Sequence, residues 1–227
     1  MNRGKPNFFI YAISEVILVV IGILIAVSIN NWNEKRKQNI ELNQILLNVK
    51  KDLNTDISKI DKVVYHYESV DSVFQNVLKS KYTERDYKEN PQIARLIFGF
   101  PEISFTKRGI YLLENFKGNL NSRNEDLVQD LVEFYNVQLW EIKVDDELRA
   151  EDLKENFSYW KNGTRWWSDY VQLKINDDFI KYAVESEDYK TRVATAQFYA
   201  YKVYLPEITK FKNRATNLVK EIDHRTE

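Results

Sequence analysis

Few side chains in this sequence are placed to do chemistry. The most conspicuous is Glu15, the only charged residue in the apolar run Phe8 to Ile29. A charged group at the centre of a membrane span costs roughly 2.5–3.5 kcal/mol on insertion scales, so it needs a partner or a route to water. Glu15 shares a 3–4 spaced helical face with Ala12, Val19, Gly22, Ala26 and Ile29. Gly22 and Ala26 form a small-xxx-small pair, which lets a second helix approach closely enough for a protonated Glu15 to hydrogen-bond across the contact. Two other readings stay open: an acid bending toward the headgroups one turn from Tyr11, and a proton-coupling carboxyl group.

The rest of the composition excludes more than it offers. Cys is absent, which removes disulfide scaffolds, thiolate metal sites and cysteine nucleophiles. Imidazole is available only at His66 and His224, and neither has a second His or a spaced acidic pair to complete a metal site. No nucleophile elbow is present, so no catalytic, cofactor-binding or metal-ligating residue is assigned and the protein is read as a non-enzyme. The acidic runs Asp145-Asp146-Glu147 and Glu185-Ser186-Glu187-Asp188 read as solvated helix faces and caps. A formal net charge of −1 argues against nucleic acid as a partner, because phosphate binding needs a basic surplus. One aromatic group remains: Tyr159, Trp160, Trp166, Trp167 and Tyr170 around the Asn162-Gly163 turn. It reads either as the packed corner of a helical core or as a ligand or partner patch, the core being favoured. Tyr199, Tyr201 and Tyr204 carry the same two readings.

These groups depend on the elements that hold them. As a helix, Phe8 to Ile29 is about 33 Å long, enough to cross a hydrocarbon core of roughly 30 Å. Tyr11 and Trp32 fall where interfacial aromatics belong, and the flanks are polar, with Arg3 and Lys5 before and Lys35, Arg36 and Lys37 after. The competing reading is a cleaved signal peptide, with Ala26-Val27-Ser28 as its cleavage site. The apolar run starts too far upstream for that, and Glu15 sits where signal peptides are basic. The basic residues on the two sides nearly balance. The short positive N-terminal tail favours a cytoplasmic amino end, with Asn33 to Glu227 outside the cytoplasm.

Tyr11-Ala12-Ile13-Ser14-Glu15, Leu18 to Ala26 and Asn30-Asn31-Trp32-Asn33-Glu34 together resemble the N-terminal signature of a bacterial family of unknown function. A second match runs over Tyr111-Leu112-Leu113, Gly118-Asn119-Leu120 and the helix Leu131 to Tyr135. The sequence departs from the family at Ser14, where Gly is usual, and at Val27-Ser28, where Leu-Gln is common. The resemblance implies an inner-membrane protein with one N-terminal span and a helical remainder, and it supplies no activity. In layout, an early acid in a lone span is also similar to the smaller subunits of ion-driven stator complexes, although those carry Asp and need a multi-span partner.

Beyond the span, apolar residues recur at steps of three and four from Ile45 through Val49, Leu53, Ile57, Ile60, Val64, Tyr67, Val70 and Phe74 to Leu78. That is one face of an amphipathic stalk helix, with no Gly or Pro between Asn30 and Lys81 to separate it from the span. Further helices are predicted over 92–98, from Thr106 to Lys117, from a Ser122/Glu125 capping box along Leu127, Leu131, Phe134 and Val137 to Trp160, around 166–173, from Asn176, and from Glu187 onward. A break is allowed at Asp145 to Glu147, and Pro206 should kink or divide the last helix. The inward face of that helix is predicted as Tyr189, Val193, Ala196, Ala200, Val203, Phe211, Ala215, Leu218 and Ile222. The reading is an all-α protein: tail 1–7, transmembrane helix 8–29, stalk 30–81 and bundle remainder 82–227, the bulk of it an extracytoplasmic helical bundle. The expected partners are the lipid bilayer and a second copy or another membrane protein. The expected role is an assembly or interaction subunit of the bacterial envelope, with a sensory or ligand-binding domain as the alternative.

Overall fold

A computed structural model describes residues 8–120 and 122–226; the tail 1–7 and the Ser122 side chain, where the capping box is expected, lie outside the described residues. The apolar run and the stalk form a single helix, α1, Phe8–Leu78. At 1.5 Å per residue it is about 106 Å long. Every residue from Tyr11 to Lys37 is exposed, and α1 enters the protein core only at Leu42. Among the described residues α1 is the one helix long and apolar enough to cross a membrane. The stalk face is the predicted one: Val49, Leu53 and Ile60 are fully buried, and Leu42, Leu46 and Val63 extend the same stripe.

Two more long rods pack on α1. Helix α4, Ser122–Gly163, runs parallel to it, since its Asp130 and Glu141 pair with Arg214 and Lys210 of the returning C-terminal helix. The return rod is composite: α7, Glu187–Phe198, a π-helical segment, Tyr199–Tyr204, and α8, Leu205–Thr226. Its antiparallel direction is fixed by ion pairs, Lys50 with Asp223 and Lys212 with Asp61 (2.5 Å). Shorter pieces close the bundle: α2, Glu84–Glu89; a 3-10 turn, Ile93–Arg95; α3, Arg108–Glu114; α5, Trp167–Tyr170; and α6, Asp177–Glu185. The described residues contain no strand, so the protein is all-α.

Several local expectations are corrected. The segment 92–98 makes only a 3-10 turn, Ile93–Arg95, with Ile93, Ala94 and Ile97 buried in one core. Thr106 does not open α3. Its N–H and hydroxyl bind the buried Asp56 carboxylate at 3.0–3.1 Å, while Gly109 N–H binds Asp52 at 2.6 Å. Two carboxylates one turn apart on α1 therefore capture the start of α3. No break occurs at Asp145 to Glu147, where pairs of Asp146 with Arg149 and of Lys143 with Glu147 brace the turn. Val137 faces out and Gln138 faces in, since the α4 core face runs through Leu131, Tyr135, Gln138 and Ile142. The polar stretch 82–90 holds α2. Pro206 lies in the first turn of α8, and the wider π turn before it absorbs the missing N–H. That turn also moves Tyr204 into the core in place of Val203. The helix expected from Asn176 is α6, and Asn176 caps it, its side-chain oxygen accepting from Phe179 N–H.

Candidate functional site

The interior divides into two apolar clusters along the rods. One, from Leu42 to Tyr67 on α1, packs with α3, the first half of α4 and α8. The other, around Phe74, Trp160, Trp166, Phe179 and Tyr189, caps the far end. At their junction sits Arg149 of α4, whose side chain is 3 % exposed. Its Nη1 donates to Asp146 (2.9 Å), and its Nη2 donates to Tyr67 Oη (2.6 Å) and to the Pro101 carbonyl (3.2 Å). The guanidinium also lies 3.7 Å from the Tyr204 ring centroid and 4.1 Å from that of Phe100. Flat aromatic faces suit a weakly hydrated planar cation, which is why an arginine is tolerated at this depth.

The acidic run beside it is not a solvated face, which corrects the expectation for Asp145 and Asp146. Burial pushes the Asp146 carboxyl up to about 6 although Arg149 pulls it down, with Glu102 and Asp145 adding to the rise. Burial raises Asp145 and Asp152 as well. The folded chain therefore keeps the Asp146 proton up to about pH 6, whereas the unfolded chain releases it near 3.8. The contribution of this group to stability is fullest below 3.8 and declines as the pH rises to about 6. Asp146→Asn lacks that titration. Denaturant unfolding should show the variant gaining on the parent between pH 4 and pH 7; a difference that stays flat or reverses contradicts the assignment.

Next to Arg149 is a cavity of about 280 Å³, walled by α1, the 90–100 segment, α4 and the junction of α7 with the π segment. Val70, Phe74, Ile93, Leu96, Leu153 and Ala200 give it an apolar lining, and His66, Arg95 and Tyr199 bring polar groups. Departures from regular α-helical geometry of the kind at Tyr199–Tyr204 are frequent at functional sites. Of the tyrosines singled out from sequence, Tyr204 is buried, Tyr201 donates to the Tyr67 carbonyl at 2.6 Å, and Tyr199 lines the cavity.

The aromatic corner is mainly core. Trp160 and Trp166 are buried, Trp167 and Tyr170 are half-buried, and Tyr159 is exposed beside Arg192. Phe98 fills the centre, stacked on Trp160 at 4.3 Å and on Tyr170 at 4.0 Å. Trp160 donates to Tyr182 Oη (2.9 Å), which donates to Asp188 (2.5 Å). On the apolar first part of α1, Ala12, Glu15, Val19, Gly22 and Ala26 are all exposed, and a Cβ added at Gly22 would meet nothing within 4 Å. His66 is exposed at the cavity rim, and among the described residues no group of three His, Asp or Glu side chains could hold a metal ion.

One surface was missed in sequence. Val137, Trp140, Val144 and Leu148 form an apolar stripe on the outer face of α4, with Trp140 66 % exposed. The signal was present as a second 3–4 spacing on the same helix. Val137 masks it, because its spacing from Leu127, Leu131 and Phe134 also suits the inward face.

The molecule is thus an all-α bundle grown on one continuous helix whose first part is apolar apart from Glu15. The chain belongs to the Family of unknown function (DUF6090), whose model matches residues 15–195. No curated protein and no solved structure matches it.

Proposed function

We propose that the protein is a single-pass anchored subunit of the bacterial inner membrane, with its helical domain in the periplasm. It acts without catalysis, by association with a second copy of itself. The observation that carries this reading is the uncovered stripe Val137, Trp140, Val144 and Leu148 on α4. Glu133 and Glu151, both exposed, close its ends, so the apolar strip is about 16 Å long. Alone that area is modest for a stable dimer. Anchoring changes the balance, since two copies held in one bilayer meet at a raised effective concentration and in the same orientation. Because α4 runs parallel to α1, a twofold axis along the membrane normal brings each stripe against its own copy at equal height. The Gly22/Ala26 face allows a close approach between spans as well, with Glu15 on the same face.

The chain has no Cys, so a single introduced thiol reports contact cleanly. In isolated membranes, Val144→Cys should form a disulfide-linked dimer on mild oxidation. A thiol at exposed Ala150 of α4, about 120° round the helix from Val144, should not. Trp140→Glu should convert detergent-solubilised oligomer to monomer. A parent protein that sediments only as a monomer and never cross-links at 144 would overturn the reading.

A further inference from the structure

We infer that the cavity beside Arg149 is a binding site for a small uncharged molecule with an apolar body and a single oxygen acceptor. This reading is independent of association through α4. Protein interiors rarely keep a void much larger than a water molecule, yet this one holds about 280 Å³, near the small end of ligand-sized sites. The two irregular pieces of the fold build it. The 3-10 turn gives Ile93 and Arg95 to one wall, and the π segment gives Tyr199 and Ala200 to another. Val70, Phe74, Leu96 and Leu153 add apolar surface between them.

Charge around the space is matched from within the protein. Asp146 pairs with Arg149 at 2.9 Å, and Asp152 shares the lining with Arg95. An entering ion of either sign would lose its hydration without gaining an unmatched counter-charge. Nor can Arg149 grip a two-oxygen anion. Both edges at which a carboxylate docks on a guanidinium include Nη2, and Nη2 already donates to Tyr67 Oη and to the Pro101 carbonyl. What stays open is a donor for one atom. Tyr67 Oη accepts from Arg149 (2.6 Å), but its own hydrogen has no acceptor among the described residues, on a residue 4 % exposed that lines the cavity. Burial raises the pKa of this hydroxyl against the pull of Arg149, so it keeps its hydrogen. A carbonyl or hydroxyl oxygen on an apolar body supplies the missing acceptor. The source of the ligand is aqueous. Tyr67 lies 38 residues beyond Ile29 on the same helix, about 57 Å along its axis, out of reach of lipid acyl chains.

The test is isothermal titration of the full-length protein in mild detergent, against a micelle-only blank, with acetophenone, ethylbenzene, benzoate and benzylammonium. Acetophenone should bind saturably, and the two charged probes at least tenfold more weakly. Ethylbenzene, which has the body without the oxygen, should bind more weakly than acetophenone. Tyr67→Phe should weaken acetophenone about fivefold, the effect of one net hydrogen bond, and leave ethylbenzene unchanged. Ala200→Phe, which fills the chamber, should abolish binding of both. No saturable binding of acetophenone to the parent, or equal binding of either charged probe, overturns the proposal. Equal losses of acetophenone and ethylbenzene in Tyr67→Phe overturn the role of the hydroxyl, and a folded Ala200→Phe protein that still binds overturns the location. Should either variant not fold, the ranking of the four probes on the parent decides the matter.

Discussion

Gly109→Ala should destabilise the helical domain by about 3 kcal/mol, the upper end of what overpacking a filled interface costs. In an exposed helix the same change would stabilise by roughly 0.8–1 kcal/mol, because glycine is the poorer helix former. Packing reverses the sign here. A Cβ on Gly109 would sit 2.6 Å from both the Cα and the N of Val49 and 2.9 Å from the carbonyl carbon of Asn48. Those atoms are backbone of α1, buried on this face, and cannot rotate aside as a side chain would. Any shift of α3 also pulls Gly109 N–H from Asp52 and Thr106 from Asp56. For a domain of this size the midpoint of thermal unfolding should fall roughly 6–12 °C. Gly99→Ala is the control, since its Cβ meets nothing within 4 Å. It should change stability by no more than about 0.5 kcal/mol. Equal effects of the two substitutions would contradict the close approach of α3 to α1.

Arg149→Ala should cost about 3–5 kcal/mol, the range for breaking a buried ion pair by deleting one member. The loss has three parts: Asp146 without its cation, Tyr67 Oη and the Pro101 carbonyl without their donor, and a void between Phe100 and Tyr204. Arg149→Met keeps much of the stem volume, so it should lose less. Combining Arg149→Met with Asp146→Asn should cost less than the sum of the two, because the second change removes the charge that the first leaves stranded. Additive effects in urea unfolding would show that Arg149 and Asp146 do not act as a pair.

The stalk face in the lower half of the bundle was legible because its apolar residues keep one helical spacing. Ile45, Val49, Leu53 and Ile60 repeat at helical spacing, and all four reach the core. Asn176 was legible for a different reason: a cap is a local bond, from its own side chain to an N–H three residues on. The junction was not legible. Arg149 continues the series Leu131, Tyr135, Gln138 and Ile142, yet a charged residue on an apolar face reads as the end of that face. Its partners, Tyr67 and Pro101, lie 82 and 48 residues away in sequence. The capture of α3 by Asp52 and Asp56 was hidden for the same reason, as carboxylates on a stalk helix look solvated until a distant backbone N–H arrives. Pro206 was a true signal with an unexpected outcome. The helix widens ahead of it into the π segment instead of breaking, and that widening sets Tyr204 against Arg149.

Whether α1 stays in the bilayer as one uncut helix is decided most directly by fractionating cells that make the full-length chain, and by sequencing the amino end of the mature protein. The account predicts that the protein resists alkaline carbonate, dissolves only with detergent, and begins upstream of Phe8. Recovery in the soluble fraction, or a mature chain starting near Ser28 or Ile29, would contradict it.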